Sequence, residues 1–128
     1  GPKRMKDLAS GRIVTAQTIL TPWGYEKILA KAGTYAGKII HINAGHRLSK
    51  KYHKTRDKTV FVLSGVLSLS INDVEISHVM SDGQCVRIAP GMIHRFEAPK
   101  NGMPVVLLEI STPELEDVIR LQDDYDRK

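Results

Sequence analysis

The chain has 128 residues, of which 26% are charged and 5% are aromatic, and its 19 basic and 14 acidic residues give a formal net charge of +5. This length fits one compact domain and leaves no room for a second core. Apart from a cluster at 50–58 the basic residues are spread along the chain, and stacking aromatics are scarce, so the composition argues against nucleic-acid binding.

Short apolar segments recur along the chain with turn-forming residues between them. Their length and their content of β-branched residues predict strands. The separators are rich in Gly, Pro, Asn, Asp and Ser, as at Ser64-Gly65. Repeats of about ten residues without an amphipathic segment of helical length indicate an all-β antiparallel sandwich or barrel. The predicted strands are residues 25–30, 38–42, 59–63, 66–71, 74–79, 85–88 and 105–110.

The C-terminal part departs from this pattern. A proline within 112–116 predicts a short helical turn there, since proline is favoured at an early helical position. The polar run 122–128 is expected to fray or to pack on the outside. We therefore predict one domain over 1–128, with its barrel core at about 12–120.

Two predicted strands are apolar at consecutive positions, at 60–63 and 105–108. A strand that is buried on both faces has this pattern, so either a second sheet or a partner subunit covers its outer side. We predict a homodimer on this ground.

Cysteine content and hydropathy predict a cytoplasmic protein. Cys85 is the single cysteine, which rules out an intrachain disulfide and favours a reducing compartment. No stretch approaches the roughly 20 apolar residues of a membrane helix, and the start does not resemble a signal peptide. We expect no membrane partner. Gly1-Pro2 is interpreted as the remnant of a cleaved expression tag and carries no functional argument.

Two segments hold histidines at regular spacing. Because alternate residues of a strand share a face, such segments can direct several donors from neighbouring strands to one point inside a barrel. The first segment reads Gly45, five residues, Lys51-Tyr52-His53, four residues, Lys58, six residues and Gly65. The second reads Gly83, five residues, Ala89-Pro90-Gly91, two residues and His94.

On this spacing the chain resembles a cupin, whose motifs run Gly, five, His-x-His, three or four, Glu, six, Gly and then Gly, five, Pro-x-Gly, two, His, three, Asn. More narrowly, it is similar to the cupin domain of type II mannose-6-phosphate isomerases, which often occurs fused to a sugar-nucleotide pyrophosphorylase. The resemblance implies a single cupin-type β-barrel or jelly roll and a sugar-phosphate isomerase, converting aldose and ketose. It extends from about Thr21 onward and is carried by Pro22-Trp23-Gly24-Tyr25-Glu26, Arg47-Leu48-Ser49, Val62-Leu63-Ser64-Gly65, His94-Arg95-Phe96-Glu97, Ser111-Thr112-Pro113-Glu114-Leu115 and Val118-Ile119-Arg120-Leu121.

The resemblance also assigns positions in a metal site. His53 and His94 stand at the second and fourth ligand positions. Lys51 occupies the first position, commonly Gln or His, and Lys58 the third, commonly Glu. The last motif position, usually Asn, is Ala98.

The two lysines change the charge of this site. At an effective dielectric of about 20, each like-charge contact at about 4 Å costs about 4 kcal/mol, which disfavours a divalent ion. Using a lysine as a ligand costs about 1.4 kcal/mol for each unit by which its pKa falls below about 10.4. We therefore expect no tightly bound cofactor, and a divalent metal such as Zn²⁺ at His53 and His94 is the alternative.

Two ammonium groups instead suit phosphate, carboxylate or another small anion. The predicted anion site comprises Lys51 and Lys58, extended by Arg47 and Arg95, which the resemblance places at a substrate phosphate. In the alternative interpretation the lysine side chains leave the barrel mouth with their charges in water, and the site has no function.

Other conspicuous residues lack a motif. His41, His46 and His78 are interpreted as surface or strand residues. Cys85 has no base at a recognisable spacing and is predicted to be a buried small hydrophobe. Trp23 either caps one end of the barrel or lines its mouth.

Three functions compete for this chain. In an isomerase a base moves a proton between adjacent carbons while an electrophile, normally the metal, stabilises the enediolate oxygens. Here Lys51 or Lys58 takes the place of that electrophile, and His53, His94 and Glu97 are the candidate bases. The alternative is a non-catalytic cupin that binds a sugar phosphate or another small anion. A dioxygenase needs an iron site with at least three good ligands, and the lysines argue against it.

Overall fold

The computed structural model describes residues 5–72, 74 and 77–125. Within them the chain is built from β-strands and turns without an α-helix, which confirms the all-β prediction. No helix in this part of the chain is long and apolar enough to cross a bilayer. The strands are β1 (Gln17–Thr21), β2 (Gly24–Lys31), β3 (Ala36–Ile42), β4 (Lys50–Tyr52), β5 (Lys58–Ser64), β6 (Leu67–Ile71), β7 (His78–Met80), β8 (Cys85–Ile88), β9 (His94–Glu97), β10 (Val105–Ser111) and β11 (Ile119–Gln122).

The strands form two antiparallel sheets. The six-stranded sheet has the order β1-β2-β3-β10-β5-β8, and the five-stranded sheet has the order β11-β4-β9-β6-β7. In the described part of the chain no strand pairing joins one sheet to the other. The predicted barrel or jelly roll thus takes the form of two facing antiparallel sheets, and the described residues do not close them into a ring.

The core lies between the sheets, and strand alternation decides which residues enter it. Val60 and Val62 of β5 are fully buried and belong to one cluster with Leu67 and Leu69 of β6, in the other sheet. Burying each such side chain contributes about 1.5–3 kcal/mol. Leu63 points the other way and is 42% exposed. Within the described residues the inward-facing positions of β5 are thus covered by the second sheet, whereas the outward-facing Leu63 stays exposed.

The predicted strands at 25–30, 38–42, 59–63, 66–71, 85–88 and 105–110 are confirmed, with ends shifted by up to two residues. The segment predicted at 74–79 contains only the start of β7, and residues 75–76 lie outside the described residues, as does the tag interpretation of Gly1-Pro2. The hydrophobic pattern does not predict β1, β4, β9 and β11.

The structure does not show the predicted helical turn over 112–116. A tight turn occupies this segment, in which the Leu115 N–H donates to the carbonyl of Pro113 at 2.8 Å. The chain then forms β11, which pairs with β4. Within 122–125 only Tyr125 packs against the core among the described residues, and 126–128 lie outside those residues.

Two glycines are required where chain segments approach closely. Gly65, in the turn between β5 and β6, has φ +88°, and a Cβ there would lie 2.4 Å from the carbonyl oxygen of Pro104. At Gly24, with φ +155°, a Cβ would lie 1.9 Å from the carbonyl oxygen of His41. A larger residue at either position forces the backbone apart.

Candidate functional site

Four of the predicted site residues come together between the sheets. Lys51 of β4 pairs in register with His94, the first residue of β9. His53 directly follows β4, and Lys58 is the first residue of β5. The ring centroids of His53 and His94 are 5.3 Å apart. The two histidine segments therefore place these four side chains together in the interior, as their spacing predicts.

An interior cavity of about 130 Å³ adjoins this location. Trp23, which the sequence leaves as a cap or a lining residue, is 2% exposed and lines the cavity. The polar and aromatic residues of the wall include Thr21, Trp23, Glu26, Lys38, Lys51, His53, Arg56, Lys58, Phe96, Glu109 and Arg120.

Glu109 of β10 lies at the centre of the charges and is missed by the sequence analysis. Lys58 Nζ is 2.9 Å from its Oε1, Lys38 Nζ is 3.6 Å from its Oε2, and the Arg56 guanidinium donates to Oε2 in a short hydrogen bond. Burial favours the protonated acid, but the charges of Lys58, Lys38 and Arg56 hold the pKa of Glu109 well below its ordinary value. A single acidic residue inside an otherwise apolar strand is the signal that identifies it, because such a charge is buried only with partners.

The two lysines differ in their surroundings. Lys58 is 3% exposed, and its Nζ lies 4.9 Å from the ring centroid of Phe96. Burial lowers the pKa of Lys58 to about 8, while Glu109 opposes the shift. Lys51 is half-buried, and its side chain has no hydrogen bond or ion pair within the described residues. Burial and then the charge of Lys58 lower the pKa of Lys51 well below its ordinary value.

Both histidines are neutral and present an unpaired nitrogen. The Nδ1–H of His53 donates to the carbonyl of Asp117, and that of His94 donates to the carbonyl of Met92 at 2.9 Å. Burial, followed by the charge of Lys58, lowers the pKa of His53 to about 3 and that of His94 to about 2. Each Nε2 therefore carries a lone pair, and neither has a partner among the described residues.

Asp117 holds the loop that joins β4 to β5. Its carboxylate accepts the backbone N–H groups of Lys54 at 3.1 Å, Thr55 at 2.8 Å and Arg56 at 3.0 Å. Burial opposes ionisation, but these hydrogen bonds hold the pKa of Asp117 well below its ordinary value. Because His53 begins this loop and Arg56 lies within it, Asp117 positions both side chains.

The cavity wall contains polar atoms that the protein leaves without partners. Within the described chain these buried atoms are Thr21 Oγ1, Trp23 Nε1, His53 Nε2 and Arg56 Nε. Buried polar groups in folded proteins are normally hydrogen-bonded. The set combines two N–H donors, an imidazole acceptor and a hydroxyl, which suits a guest that both donates and accepts hydrogen bonds.

The donor set does not fit a divalent metal ion. Among residues 5–72, 74 and 77–125, no group of three His, Cys, Asp or Glu side chains is placed to hold one. His53 and His94 offer two nitrogens, but the nearby carboxylate of Glu109 is already bound by three cations. Lys51 and Lys58 add positive charge where a third ligand is needed.

Arg47, Arg95 and Glu97 lie apart from the interior cavity. His94 and Phe96 contact each other inside, with ring centroids 5.4 Å apart, so the intervening Arg95 faces outward. Arg47 and Arg95 line a different cavity of about 250 Å³ on the outer side of the five-stranded sheet. Glu97 pairs with Arg47 through a backbone bridge and does not line the interior cavity.

The remaining residues singled out in the sequence lie elsewhere. Cys85 is exposed, so its prediction as a buried hydrophobe is wrong; it begins β8 at the edge of the six-stranded sheet and points outward. The ring of His41 stacks on Tyr25 with centroids 4.6 Å apart. Neither His46 nor His78 lines the interior cavity.

The fold is that of a cupin. It is similar to an RmlC-like cupin from Shewanella frigidimarina, with a TM-score of 0.72 and 14% identity, covering 88% of this chain and 98% of that one. It is also similar to a sugar phosphate isomerase of the cupin superfamily from Silicibacter pomeroyi, with a TM-score of 0.56 and 22% identity, covering 68% of this chain and 59% of that one.

The chain belongs to the family described as "Mannose-6-phosphate isomerase C-terminal", whose model matches residues 10–123. It is 28% identical over 129 residues to the alginate biosynthesis protein AlgA of Pseudomonas aeruginosa. That match covers 96% of this chain and 26% of AlgA, so the chain spans about a quarter of the length of this relative. The expected resemblance to the cupin domain of type II mannose-6-phosphate isomerases is confirmed.

Proposed function

We propose that the interior cavity binds a sugar phosphate and that the chain is an aldose–ketose isomerase of the mannose-6-phosphate type that works without a metal ion. The observation that carries this proposal is the wall itself, where unpaired hydrogen-bonding groups lie beside the cations Lys51 and Lys58. Sugar hydroxyls both donate and accept, and a phosphate supplies the negative partner that Lys51 lacks. The family assignment supports the same substrate class.

The lysines take the role of electrophile in this proposal. Negative charge develops on two adjacent oxygens when the proton leaves the carbon next to the carbonyl, and a fixed cation nearby stabilises it. Lys58 is held by Glu109, with Nζ 2.9 Å from Oε1, and a pKa of about 8 keeps it mostly protonated at neutral pH. Lys51 has no such counter-ion, and a bound phosphate favours its ammonium form by raising the pKa that burial and Lys58 lower in the free protein.

His53 is the proposed base because it lines the interior cavity, whereas His94 packs against His53 without lining that cavity. Each ring is fixed through Nδ1–H, so that Nε2 is the nitrogen that accepts a proton. Their low pKa values in the free protein rise when a phosphate dianion enters, because an opposite charge favours the imidazolium form. Glu97 lies outside the cavity, and we assign it no catalytic role.

Conversion of mannose-6-phosphate to fructose-6-phosphate in the presence of a chelator tests the proposal. Lys51→Met should lower kcat/KM by about 10²–10³-fold, the loss typical of one oxyanion donor. Lys50→Met is the matched control, since Lys50 is adjacent on β4 and lines the outer cavity instead. Absence of turnover in the unsubstituted protein, or an equal loss in both variants, would refute the isomerase proposal.

A non-catalytic binding cupin is the second candidate. It is favoured by the histidine pKa values of about 3 and about 2, because a base this weak is a poor proton acceptor near pH 7. In that case mannose-6-phosphate should raise the melting temperature without being converted. The gain should disappear in Lys51→Met and persist in Lys50→Met.

We also infer that the chain forms a homodimer through the outer face of the six-stranded sheet. Leu20, Leu63 and Ile110 on β1, β5 and β10 are 83%, 42% and 56% exposed, and a second copy would cover them. Ile110→Glu should then give a monomer in light scattering after gel filtration. A protein that is already monomeric without the substitution would contradict this inference.

A further inference from the structure

Glu26 brings a second carboxylate to the interior cavity. It lies in β2, where the neighbouring Lys27 is exposed and Ile28, two residues further on, is buried. Since alternate residues of a strand share a face, the side chain of Glu26 points inward, and it forms part of the cavity wall. The described wall of the cavity therefore contains two acidic side chains, Glu26 and Glu109.

The two carboxylates differ in how completely they are bound. Glu109 is held by three cations, Lys58, Lys38 and Arg56. Glu26 accepts one hydrogen bond, from Lys38 Nζ to Oε1 at 2.9 Å, and the described part of the chain offers it no other hydrogen bond or ion pair. An ionised carboxylate has acceptor positions on both oxygens. The Oε2 of Glu26 can therefore accept a proton while Oε1 stays bound to Lys38.

The hairpin of β1 and β2 presents further polar groups to the same cavity. Thr21 ends β1 and Trp23 lies in the turn that follows, and both line the cavity. Thr21 Oγ1 and Trp23 Nε1 are buried without a partner. Together with Glu26 they supply a hydroxyl, an N–H donor and a carboxylate oxygen, which are groups that hydrogen-bond sugar hydroxyls. The hairpin thus forms a side of the cavity suited to hydroxyl groups.

The register of the strands places Glu26 close to the interior cations. Glu26 pairs with Ile40 of β3, and Lys38, two residues before Ile40, pairs with Glu109 of β10. Two residues of a strand span about 7 Å. Burial is the main cause that lowers the pKa of Lys51, and the charge of Glu26 is among those that oppose it. One small ligand can therefore contact Glu26 and Lys51 together.

An aldose–ketose conversion needs two proton transfers. In the function proposed above, His53 moves a proton from C2 of the open-chain sugar to C1. The proton of the C2 hydroxyl must also reach the C1 oxygen. An ammonium group donates hydrogen bonds and cannot accept a proton, and Glu109 is already held by three cations. Glu26 is the carboxylate of the described wall with an oxygen free for this step.

We propose, on the basis of that isomerase function, that Glu26 is a further catalytic residue, which carries the proton from the C2 hydroxyl to the C1 oxygen. His53 removes the proton from C2, the C1–C2 double bond forms, and the electron pair of the carbonyl moves onto the C1 oxygen. Glu26 Oε2 takes the hydroxyl proton and gives it to the C1 oxygen. The carbonyl forms at C2 while the electron pair of the double bond takes the proton of the His53 imidazolium at C1. Both side chains return to their starting forms.

Mannose-6-phosphate dissolved in D2O separates the two transfers, because proton NMR reports the loss of the C2–H signal and the formation of fructose-6-phosphate independently. Glu26→Gln should lower kcat for conversion by about 10²–10⁴-fold, the contribution typical of one acid–base group. Exchange of C2–H should persist, since His53 and Lys51 still form the enediolate. Glu26→Asp keeps a carboxylate and should recover part of the conversion. Glu116→Gln is the matched control, because it removes an exposed carboxylate that does not line the cavity.

Each outcome decides the proposal. Conversion that falls while exchange continues supports it and shows that the variant is folded and binds the sugar. Glu26→Gln that converts the substrate as fast as Glu116→Gln overturns the role of Glu26 alone. A loss of exchange and conversion in equal proportion also overturns it, because Glu26 would then act on the fold or on an earlier step. A parent protein that neither exchanges nor converts the substrate refutes the isomerase function together with this proposal.

Discussion

Replacing Glu109 by Gln removes the carboxylate that neutralises the interior cations. Glu109 is 1% exposed, and its partners Lys58 and Arg56 are 3% and 2% exposed. Removing one member of a buried ion pair costs about 3–5 kcal/mol, because the remaining charge stays buried without compensation. We expect Glu109→Gln to lower the free energy of unfolding by about 4 kcal/mol, a large share of the 5–15 kcal/mol typical of a domain.

This deficit should vary with pH. Glu109 opposes the effect of burial on Lys58, whose pKa is about 8 in the native protein, so the substitution lowers that pKa further. Between the pKa of Lys58 in the native protein and its unfolded value of about 10.4, the unfolded state binds more protons than the native state. The free energy of unfolding therefore rises with pH in this range. In the variant this rise begins at a lower pH. The deficit relative to the parent protein should therefore shrink as the pH is raised toward 8.

Urea denaturation followed by the fluorescence of Trp23, the single tryptophan, measures the effect. Glu116→Gln is the matched control, because Glu116 is exposed. Adding Lys58→Met to Glu109→Gln should recover part of the loss, since it removes one stranded cation. A cost below about 1 kcal/mol for Glu109→Gln, or a further loss in the double variant, would refute the proposed charge balance.

Three further predictions concern stability. The pKa values of about 3 and about 2 for His53 and His94 lie below the unfolded value near 6.5, so the unfolded state binds more protons in acid. Chemical denaturation should show that the free energy of unfolding falls by about 5 kcal/mol between about pH 6.5 and about pH 4.5. A free energy of unfolding that does not change with pH in this range would contradict the prediction. Gly65→Ala should cost at least about 2 kcal/mol in the same assay, whereas Gly33→Ala, with no atom within 4 Å of its added Cβ, should be nearly neutral. Asp117→Ala should lower the free energy of unfolding by about 2 kcal/mol, because three backbone N–H groups lose their acceptor. Asp117→Asn keeps one acceptor oxygen and should lose less. Equal losses in the two variants would contradict the role of Asp117 as the acceptor for this loop.

The spacing of the histidine segments identifies the interior residues although the strands that carry them escape detection. β4 and β9 contain charged and polar residues, so they lack the apolar alternation by which strands are recognised. Lys51 and His94 are nevertheless found, because the number of residues between motif positions is independent of hydrophobicity.

The parts that the sequence analysis misses depend on contacts between distant segments. Glu109 reaches Lys58 only because β10 pairs with β5, and a strand order is not readable from local pattern. The separation of Arg95 from His94 follows a simpler rule. Adjacent residues of a strand face opposite sides, so a basic residue next to a motif histidine belongs to the other surface.

β4 is only three residues long and lies between β11 and β9 in its sheet. β9 pairs with β4 at one position only, Lys51 with His94, so β11 supplies most of the backbone hydrogen bonds that β4 makes to its neighbours. A chain that ended before Ile119 would lack β11, and β4 would become an unpaired edge strand beside Lys51. Exposed edge strands pair with strands of other molecules, and this self-association would then compete with the entry of a small ligand into the interior cavity.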